Sequence, residues 1–350
     1  GGGALVTATA AVEEGADCVV IATSDGPGSR GGSNAACNTR LTHELGLDFT
    51  REEIEPIFQE IFASNSFRLD QEKWWLVYNE SGKAMNWLMD KMEPYGISAV
   101  IENNQRDGGT DWWDGGPLKT LNVSHSFVAE GAQAAGASQQ IVVEALTEEI
   151  QKGGGQVFFS TTAVQLDREG DNTGRVPGCV ATHDGESPRH KATKGVVLAT
   201  GDFSQDKDMV AKYCPMALPF GYGGVYDGSG LKLALWIGAS WQKYTPNAPM
   251  LATMGDEVLP CRWWAEGALT TFPGRLGNKK GVRYSDENCT YGYMPYPQRV
   301  QPDGCAFLIW DENWVQDSAP WQSDRVGGEP RDTQEVYDAI QALFDPNTDW

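Results

Sequence analysis

Residues 194–209, KGVVLATGDFSQDKDM, decide the fold class of this chain. They contain a continuous apolar run at 196–199, which is typical of a strand covered on both faces of a sheet. Gly201 follows at the carboxyl end of this predicted strand, and its missing Cβ would let a second backbone or a ligand come close. Because open α/β sheets bind ligands beyond the carboxyl ends of their strands, the stretch predicts an α/β sheet that ends against a ligand. Simple packing gives the same local pattern, so the rest of the chain is needed to choose between them.

A run of glycines opens the chain and leads directly into a helical pattern. GGGA at residues 1–4 precedes LVTATAAVEEGA, whose small residues predict a helix that packs tightly on a sheet and ends at Gly15. Residues 18–21 then predict a strand. This order is typical of the second half of a dinucleotide-binding βαβ unit, in which the helix amino terminus supplies N–H donors to a pyrophosphate. The first strand and first glycine of that unit are absent from the sequence, so we expect the chain to begin inside it.

The composition is that of an ordinary globular protein with a strongly acidic balance. The chain has 350 residues, of which 40% are hydrophobic and 21% are charged, and its formal net charge is -21. This length predicts two domains rather than one. The acidic balance, without a long run of Lys or Arg, argues against nucleic acid or an anionic membrane surface as a partner.

The cysteines and the hydropathy of the chain bear on metal sites, disulfides and membrane segments. The seven cysteines are widely spaced and form no CxxC pair, which indicates neither a metal site nor a disulfide framework. No apolar run approaches the roughly 18 residues of a membrane helix, so we predict no membrane span in this segment. No signal peptide is visible, but a chain that begins inside a motif leaves the compartment undecided.

Turn residues and apolar periodicity predict the order of the remaining elements. Residues 51–106 are predicted to be helical, with Trp74 and Trp87 on faces that belong to the core. A further helix is predicted from Ser138 to the glycines at 153–155. Four short strands separated by the turns DNTG and DGES then predict an antiparallel meander that returns to the main sheet. These strands are 157–159, 163–166, 176–182 and 191–199.

Several segments in a fixed order carry a family resemblance. The chain contains GGGALVTATAAVEEGADCVVI, GGSNAAC, KGVVLATGDFSQDKDMV, YDGSGLKLALWIGA and GNKKGVRYSDENCTY, in that order. In this it resembles the flavoproteins of the fumarate reductase and 3-ketosteroid dehydrogenase superfamily. The resemblance implies an α/β fold, in which a Rossmann-like FAD-binding domain with a small antiparallel β-meander is joined by an inserted α+β capping domain. It also implies FAD as the cofactor.

The resemblance assigns domains and cofactor residues. It places the FAD-binding domain at 1–244, without the family's first strand and closing segment, and an incomplete capping, substrate-binding domain at 245–350. The motifs assign residues to the pyrophosphate, the flavin ring and the adenine. These cofactor candidates are Gly1, Gly2, Gly3, Ala4, Gly31, Gly32, Ser33, Asn34, Ala35, Ala163, Val164, Ala199, Thr200, Gly201 and Asp227.

Three positions depart from the family pattern. Family members usually end the second strand on an acidic residue that holds the ribose hydroxyls, whereas this chain has Ala22 there. The helix-opening GDG of the family becomes GSG at 228–230, which moves the acid to Asp227 or loses it. Asp202 stands where the family usually has a second glycine, and it adds a carboxylate close to the expected cofactor.

The implied chemistry depends on a tyrosine in the predicted capping domain. The family transfers hydride at the flavin N5 while a proton moves on the neighbouring carbon. In fumarate-reducing members an arginine eight residues beyond the arginine of the R-[FY]-x-x-E segment donates that proton, and counting from Arg283 reaches Tyr291 instead. A tyrosine there resembles the ketosteroid dehydrogenases, so Tyr291 is the candidate proton donor or acceptor. Trp263 and Trp264 are weaker substrate candidates, and Arg283 either contacts substrate or pairs with Glu287.

Three functions stay open on the sequence. The first is an FAD-dependent oxidoreductase acting on a CH–CH or C=C bond of an enone-like or ketosteroid-like small molecule, in either direction. The second is a reductase of fumarate-like or other acrylate carboxylates, for which Arg262, Arg275 and Arg299 remain available. The third is a non-catalytic flavin-binding protein. Either enzyme needs an electron donor or acceptor, which the sequence does not identify.

Overall fold

The computed structural model describes eight stretches of the chain and two further single residues. The stretches are residues 1–29, 34–101, 123–132, 138–215, 226–241, 274–287, 295–304 and 306–318, and the single residues are Gln334 and Asp338. Within them the chain is a mixed α/β protein with small sheets. The helices are α1 Gly2–Glu13, α2 Arg40–Glu44, α3 Arg51–Ser64, α4 Gln71–Met92, α5 Gln139–Lys152, α6 Lys207–Tyr213 and α7 Ser229–Trp236, followed by short helices at Pro295–Arg299 and Trp314–Ser318. The strands are β1 Val19–Ile21, β2 Asn34–Ala35, β3 Ile97–Ile101, β4 Ser124–Ala129, β5 Gln156–Phe158, β6 Thr162–Asp167, β7 Gly178–Thr182, β8 Arg189–Lys191, β9 Arg275–Gly277 and β10 Phe307–Ile309.

Helices α1 and α5 pack together beside a parallel strand pair formed by β1 and β5. Leu5 of α1 and Leu146 of α5 are buried in one apolar cluster, and full burial of such a side chain stabilises the fold by about 1.5–3 kcal/mol. Gly153 allows the close approach, because a Cβ there would lie 2.2 Å from Cγ1 of Val12. The predicted first helix, the strand after it and the helix closed by glycines are confirmed.

A second sheet, in the order β2–β4–β3, corrects one prediction. The helical prediction is wrong at 97–101, which form β3 antiparallel to β4. Gly96 ends the preceding helical turn with a φ of 65°, a left-handed conformation that favours glycine. The β-branched Ile97, Val100 and Ile101 then favour an extended chain.

Aromatic side chains join α3 and α4. Phe58 and Phe62 of α3 are buried. Trp74 and Trp75 of α4 pack edge-on against Phe58, with ring centroids 5.5 and 5.0 Å from its own. Such aromatic pairs contribute about 0.5–1.5 kcal/mol beyond their burial. The prediction that tryptophans of this region belong to the core is confirmed.

An antiparallel meander is present as the sheet β6–β7–β8, but two of the four strands predicted for it are corrected. Residues 157–159 do not belong to it, because β5 pairs in parallel with β1. Of residues 191–199 only Lys191 lies in a strand, as the last residue of β8. Ala163 lies opposite Ala181, but Gln165 lies opposite Val180, so Val164 is an extra residue in β6. A bulge of this kind leaves the extra residue unpaired in the ladder and bends the strand. One face of the meander packs on α7.

The strand predicted at 196–199 is absent from the structure, and this prediction was wrong. Residues 195–203 belong to no helix or strand. Val197 is 68% exposed and Leu198 is 41% exposed, whereas Val196 packs beside the meander. The physical reason is the lack of a pairing partner, because no strand among the described residues, including β1 and β5, pairs with this segment. An apolar run becomes a buried strand only where a neighbouring strand accepts its hydrogen bonds.

The predicted capping region is described only in part. β9 and β10 form an antiparallel pair there, and short helices lie before and after β10. The division of the chain between residues 244 and 245 stays a prediction. In the part of the chain that the structure describes, no helix combines the length and the apolar character needed to cross a membrane.

Candidate cofactor site

The amino terminus of α1 presents backbone donors to solvent. Gly1 is the N-cap, the first turn holds no acidic residue, and among the described residues no side chain caps this helix. Gly1, Gly2 and Gly3 are exposed, and a Cβ at Gly2 or Gly3 would meet no described atom within 4 Å. The first N–H groups of a helix lack intrahelical partners and carry the positive end of its dipole, so they favour a phosphate. The backbone from Gly1 to Ala4 therefore has the character of the predicted pyrophosphate site.

Asn34 carries a buried donor that the described residues leave unused. Asn34 and Ala35 form β2, paired with His125 and Ser124 of β4. The Nδ2 atom of Asn34 is buried and has no hydrogen-bond partner in the part of the chain that the structure describes. Leaving such a donor unsatisfied costs about 1–3 kcal/mol. A bound acceptor at this point would therefore stabilise the fold.

His125 supports this strand pair and was missed by the sequence-based prediction. It is fully buried opposite Asn34. Its Nδ1 lies 2.9 Å from the Val123 carbonyl, which can only accept, so Nδ1 carries the proton. Nε2 then accepts from the Thr39 hydroxyl at 2.9 Å. Burial lowers the pKa of His125 below its ordinary value, which keeps the ring neutral at pH 7. No local pattern distinguishes such a supporting histidine from an exposed one.

The bulge in β6 suits the adenine contact predicted for Ala163 and Val164. Ala163 remains paired in the ladder, whereas Val164 is the extra residue and is 42% exposed. The N–H and C=O groups of an extra residue are not used by the neighbouring strand. A backbone contact to an adenine edge needs such groups, so the position of Val164 is compatible with the predicted role.

The glycines at 201 and 230 allow close packing within the chain itself. Gly201 has a φ of 82°, and a Cβ there would lie 2.6 Å from the ring of Tyr226. A Cβ at Gly230 would lie 2.0 Å from Oγ1 of Thr200, so the first turn of α7 rests directly on Thr200. Gly201 is therefore required by the fold independently of any ligand. Ala199 and Thr200 are exposed and remain candidates for cofactor contact.

Two carboxylates in this region hydrogen-bond to their own loops. Oδ1 of Asp227 accepts from the Ser229 N–H at 2.9 Å, and this bond is the main cause that lowers the pKa of Asp227 below its usual value. Oδ1 of Asp202 accepts from the backbone N–H and the hydroxyl of Ser204, at 2.9 and 2.6 Å. Asp227 thus stabilises the start of α7, and Asp202 stabilises a tight turn. Neither carboxylate depends on a ligand for these bonds.

Replacing Asp202 by glycine, the residue usual in the family, is expected to leave flavin binding unchanged. The change removes two hydrogen bonds to Ser204, each contributing about 0.5–1.5 kcal/mol, so we expect the melting temperature to fall by a few degrees. The flavin-to-protein absorbance ratio and a thermal melt measure the two effects. Ser204→Ala is the matched control, because it removes one of these bonds and keeps the carboxylate. Loss of flavin in D202G alone would assign the cofactor contact to the acid.

The end of β1 lacks the ribose-binding acid, as the sequence indicates. Ala22 is fixed in the sheet, since its N–H donates to the Phe158 carbonyl and its own carbonyl accepts from the Thr161 N–H, both at 2.9 Å. The first polar side chain after it is Thr23, whose hydroxyl lies 3.4 Å from that of Thr162. The side-chain contact at this strand end is therefore between two hydroxyl groups.

Arg283 forms a two-point ion pair with Glu287. Nε of Arg283 lies 3.0 Å from Oε1 of Glu287, and Nη2 lies 2.5 Å from Oε2. Oε1 also accepts from the Leu276 N–H at 2.9 Å, which ties this loop to β9. The pKa of Glu287 is lowered to about 2, mainly by its hydrogen bonds from Arg283, so this carboxylate is ionised at pH 7. The predicted ion pair is confirmed, and it directs Arg283 toward Glu287.

Several predicted site residues lie outside the described residues, and their roles stay predictions. They are Gly31, Gly32, Ser33, Trp263, Trp264 and Tyr291. Among the described candidates, Thr200 lies against the first turn of α7 and Gly201 lies against Tyr226. Asp227 accepts from the N–H of Ser229, the first residue of α7. Arg283 belongs to the loop after β9 instead.

Comparison with known proteins identifies the family to which the chain belongs. Residues 1–262 match the family described as FAD binding domain. The chain belongs to this FAD binding domain family. The described residues fit that cofactor, because the uncapped start of α1 suits a pyrophosphate and the buried Nδ2 of Asn34 lacks an acceptor. The prediction of FAD as the cofactor is confirmed.

Two related proteins are similar in sequence to this FAD-binding chain. The vinyl phenol reductase of Lactiplantibacillus plantarum is 25% identical over 275 residues, which cover 75% of this chain and 50% of that protein. The NADH:fumarate oxidoreductase of Klebsiella pneumoniae is 25% identical over 327 residues, which cover 89% of this chain and 31% of that protein. The chain thus spans half or less of the length of these relatives.

Two solved structures share the fold. The 3-ketosteroid-delta4-(5alpha)-dehydrogenase from Rhodococcus jostii RHA1, in complex with 4-androstene-3,17-dione, has a TM-score of 0.65 at 21% identity, covering 89% of this chain and 65% of that one. The 3-ketosteroid delta1-dehydrogenase from Sterolibacterium denitrificans has a TM-score of 0.61 at 13% identity, covering 93% of this chain and 69% of that one. The resemblance to fumarate reductase and ketosteroid dehydrogenase flavoproteins is confirmed. The α/β class is confirmed too, whereas the Rossmann-like core and the capping domain stay predictions.

Proposed function

We propose that this chain is part of an FAD-dependent oxidoreductase that transfers hydride between flavin N5 and an activated C–C or C=C bond of an enone-like or ketosteroid-like substrate. The observation that carries the proposal is the pairing of Arg283 with Glu287. A carboxylate substrate needs a cation free to bind it, and this arginine already donates to Glu287 from Nε and Nη2. The name of the relative vinyl phenol reductase refers to an uncharged aromatic compound, which supports the same substrate class.

The residues of the chain bind and orient the cofactor in this proposal. Bound FAD would supply the redox-active ring that exchanges hydride. The first N–H groups of α1 would hold the pyrophosphate, Nδ2 of Asn34 would donate to the cofactor, and the backbone of Val164 would contact adenine. His125 would act as a positioning residue, because it fixes the strand pair that carries Asn34.

Tyr291 handles the proton in the proposed reaction. It occupies the position of the fumarate-reducing arginine, eight residues beyond Arg283. A tyrosine has an ordinary pKa of about 10 and is protonated at pH 7, so it can donate a proton without any shift. Reduction of a C=C bond needs such an acid at the carbon next to the one that receives hydride. Dehydrogenation would use the same group in reverse.

The second candidate is a reductase of fumarate-like carboxylates. It is favoured by the similarity to NADH:fumarate oxidoreductase, which covers 89% of this chain. This reaction would require other cations for the substrate carboxylates. Arg275 on β9 and Arg299 at the end of a short helix belong to the described part of the predicted capping region. Arg262 lies outside the described residues.

Reoxidation of the reduced flavin distinguishes these functions. The purified protein is loaded with FAD, bleached anaerobically with dithionite, and mixed with a panel of cyclic enones, vinyl phenols, fumarate and other acrylates. We expect the flavin absorbance to return fastest with the uncharged enones or vinyl phenols. Return of the flavin absorbance with fumarate alone would favour the reductase of fumarate-like carboxylates. Bound flavin that no panel member reoxidises would favour a non-catalytic flavin-binding protein, and absence of flavin binding would exclude all three.

A further inference from the structure

A cavity at the outer end of the meander concentrates positive charge. Its volume is about 710 Å³, and it is lined by the ends of β6, β8 and α7 and the loops beside them. Arg168, Arg175, Arg189 and Lys191 line it, with Asp167 as the one carboxylate among its lining residues. The whole chain has a net charge of -21, so four cations around one acid contrast with its overall balance. Such a lining raises the local concentration of anions.

Two of the guanidinium groups are held in place by backbone carbonyls. Arg168 donates from Nε to the Gly174 carbonyl at 2.9 Å and from Nη1 to the Ile237 carbonyl at 2.5 Å. Arg175 donates from Nη2 to the Ala192 carbonyl at 2.8 Å. A guanidinium has five N–H donors, so these bonds fix each group and leave further donors for a ligand. An anion in the cavity would therefore meet a positive field from Arg168 and Arg175 without the cost of ordering these two side chains.

The remaining charges are more accessible. Nε of Arg189 lies 3.3 Å from Oδ2 of Asp167, and the Arg189 side chain is 61% exposed. Lys191 is exposed at the end of β8. Since phosphate groups are recognised by charge-assisted bonds from arginine and lysine, these two side chains are the natural contacts for the charged end of a ligand.

An exposed indole lines the same cavity. Trp236 is the last residue of α7 and is 68% exposed. Tryptophan usually buries most of its large apolar surface, and an open indole face stacks well on a flat ring. The combination of a stacking surface with guanidinium and ammonium groups matches an aromatic molecule that carries several negative charges.

The cavity is separate from the cofactor candidates. None of the residues that line it is among those assigned to FAD. On β6 the lining starts at Gln165, directly after the predicted adenine contact at Val164. A ligand here would therefore be an additional one, and its binding does not depend on the proposed function.

We propose that this cavity binds a nucleoside diphosphate. Its planar base would stack on Trp236, and its phosphates would contact Arg189 and Lys191. ADP is the probe, titrated by calorimetry into FAD-loaded protein while visible absorbance monitors bound flavin. We expect saturable binding at one site per chain without release of flavin. Adenosine and inorganic pyrophosphate should each bind at least about tenfold more weakly than ADP, because each lacks one half of the contacts.

Variants assign the binding to the cavity. Arg189→Gln with Lys191→Gln should weaken ADP binding by about tenfold or more. Trp236→Leu should weaken ADP binding and leave pyrophosphate binding unchanged. Lys194→Gln with Lys280→Gln is the charge-matched control, because both lysines are exposed and neither lines the cavity. A thermal melt of each variant verifies that it is folded, and Trp236→Leu tests the cavity without altering the Arg189–Asp167 pair.

Three results would overturn the proposal. The first is no saturable binding of ADP up to millimolar concentration. The second is equal weakening by the control pair, which would indicate a general charge effect. The third is release of FAD in proportion to bound ADP, which would place ADP in the cofactor site. Failure to bind FAD at all would count against the proposed function alone, since the cavity variants can be compared in flavin-free protein.

Discussion

Replacing Tyr291 by phenylalanine is expected to lower the rate of flavin reoxidation by substrate about 10²- to 10⁴-fold. The change removes the hydroxyl that we propose as proton donor and keeps the aromatic ring. Flavin binding should be unaffected, because the cofactor candidates of the described residues lie in α1, β2, β6 and the loops before α7. Anaerobic stopped-flow measurement of dithionite-reduced protein with the best substrate of the panel gives the rate, and the flavin-to-protein ratio gives the occupancy.

Two neighbouring tyrosines provide matched controls for this prediction. Tyr293 and Tyr296 lie in the same TYGYMPYP segment, and their phenylalanine variants remove the same hydroxyl two and five residues further along. We expect both to react at rates close to the unchanged protein. A slow Tyr296→Phe beside a fast Tyr291→Phe would reassign the donor and keep the reaction. Unchanged rates in all three variants would exclude a tyrosine acid from this segment.

Elements whose signal lies in their own residues could be predicted from the sequence. The small residues of α1 precede Gly15, whose φ of 77° is the left-handed conformation that commonly follows a helix. Ser138 caps α5, where its side chain accepts from the Gln140 N–H, and glycines close the same helix. In each case the turn residue and the apolar periodicity agree, so no distant part of the chain is needed to decide the structure.

The segment at 196–199 could not be predicted because its structure depends on a distant partner. Its apolar run has the composition of a buried strand, yet Val197 is 68% exposed. Strand formation needs hydrogen bonds from another strand, and sequence periodicity carries no information about whether that strand is beside it. The opposite error at 97–101 has the same origin, since β3 is stabilised by its pairing with β4.

The backbone at the start of α1 could be predicted from its motif, whereas the side chains that support β2 could not. Gly1 precedes α1, Gly2 and Gly3 open it, and none of the described side chains caps it, so its first N–H groups are left for a ligand as predicted. His125 supports Asn34 through β2 and β4, which are about 90 residues apart in sequence, and no spacing rule connects them. Gly201 was assigned to ligand approach, but the space beside it is taken by Tyr226. A glycine in a motif therefore indicates close approach without indicating what approaches.

The open start of α1 allows a sharp test of FAD binding. Gly2→Asp is expected to weaken FAD binding by about 100-fold, or nearly 3 kcal/mol, while the fold remains intact. A side chain fits there, because a Cβ at Gly2 would meet no described atom within 4 Å. A carboxylate in the first turn of a helix also interacts favourably with the helix dipole, by about 0.3–1 kcal/mol. The melting temperature of flavin-free protein should therefore stay the same or rise.

The loss of FAD would arise from the charge and the bulk placed where the pyrophosphate is expected. Gly2→Asn separates these causes, since it has nearly the same volume as aspartate without the negative charge. We expect FAD affinity to be highest with Gly2, lower in Gly2→Asn and lowest in Gly2→Asp. Quenching of free FAD fluorescence at constant ionic strength measures it. The difference between Asn and Asp should shrink as salt is added, because charge repulsion is screened and steric exclusion is not. Unchanged affinity in Gly2→Asp would show that the pyrophosphate binds elsewhere, even in a chain of this family.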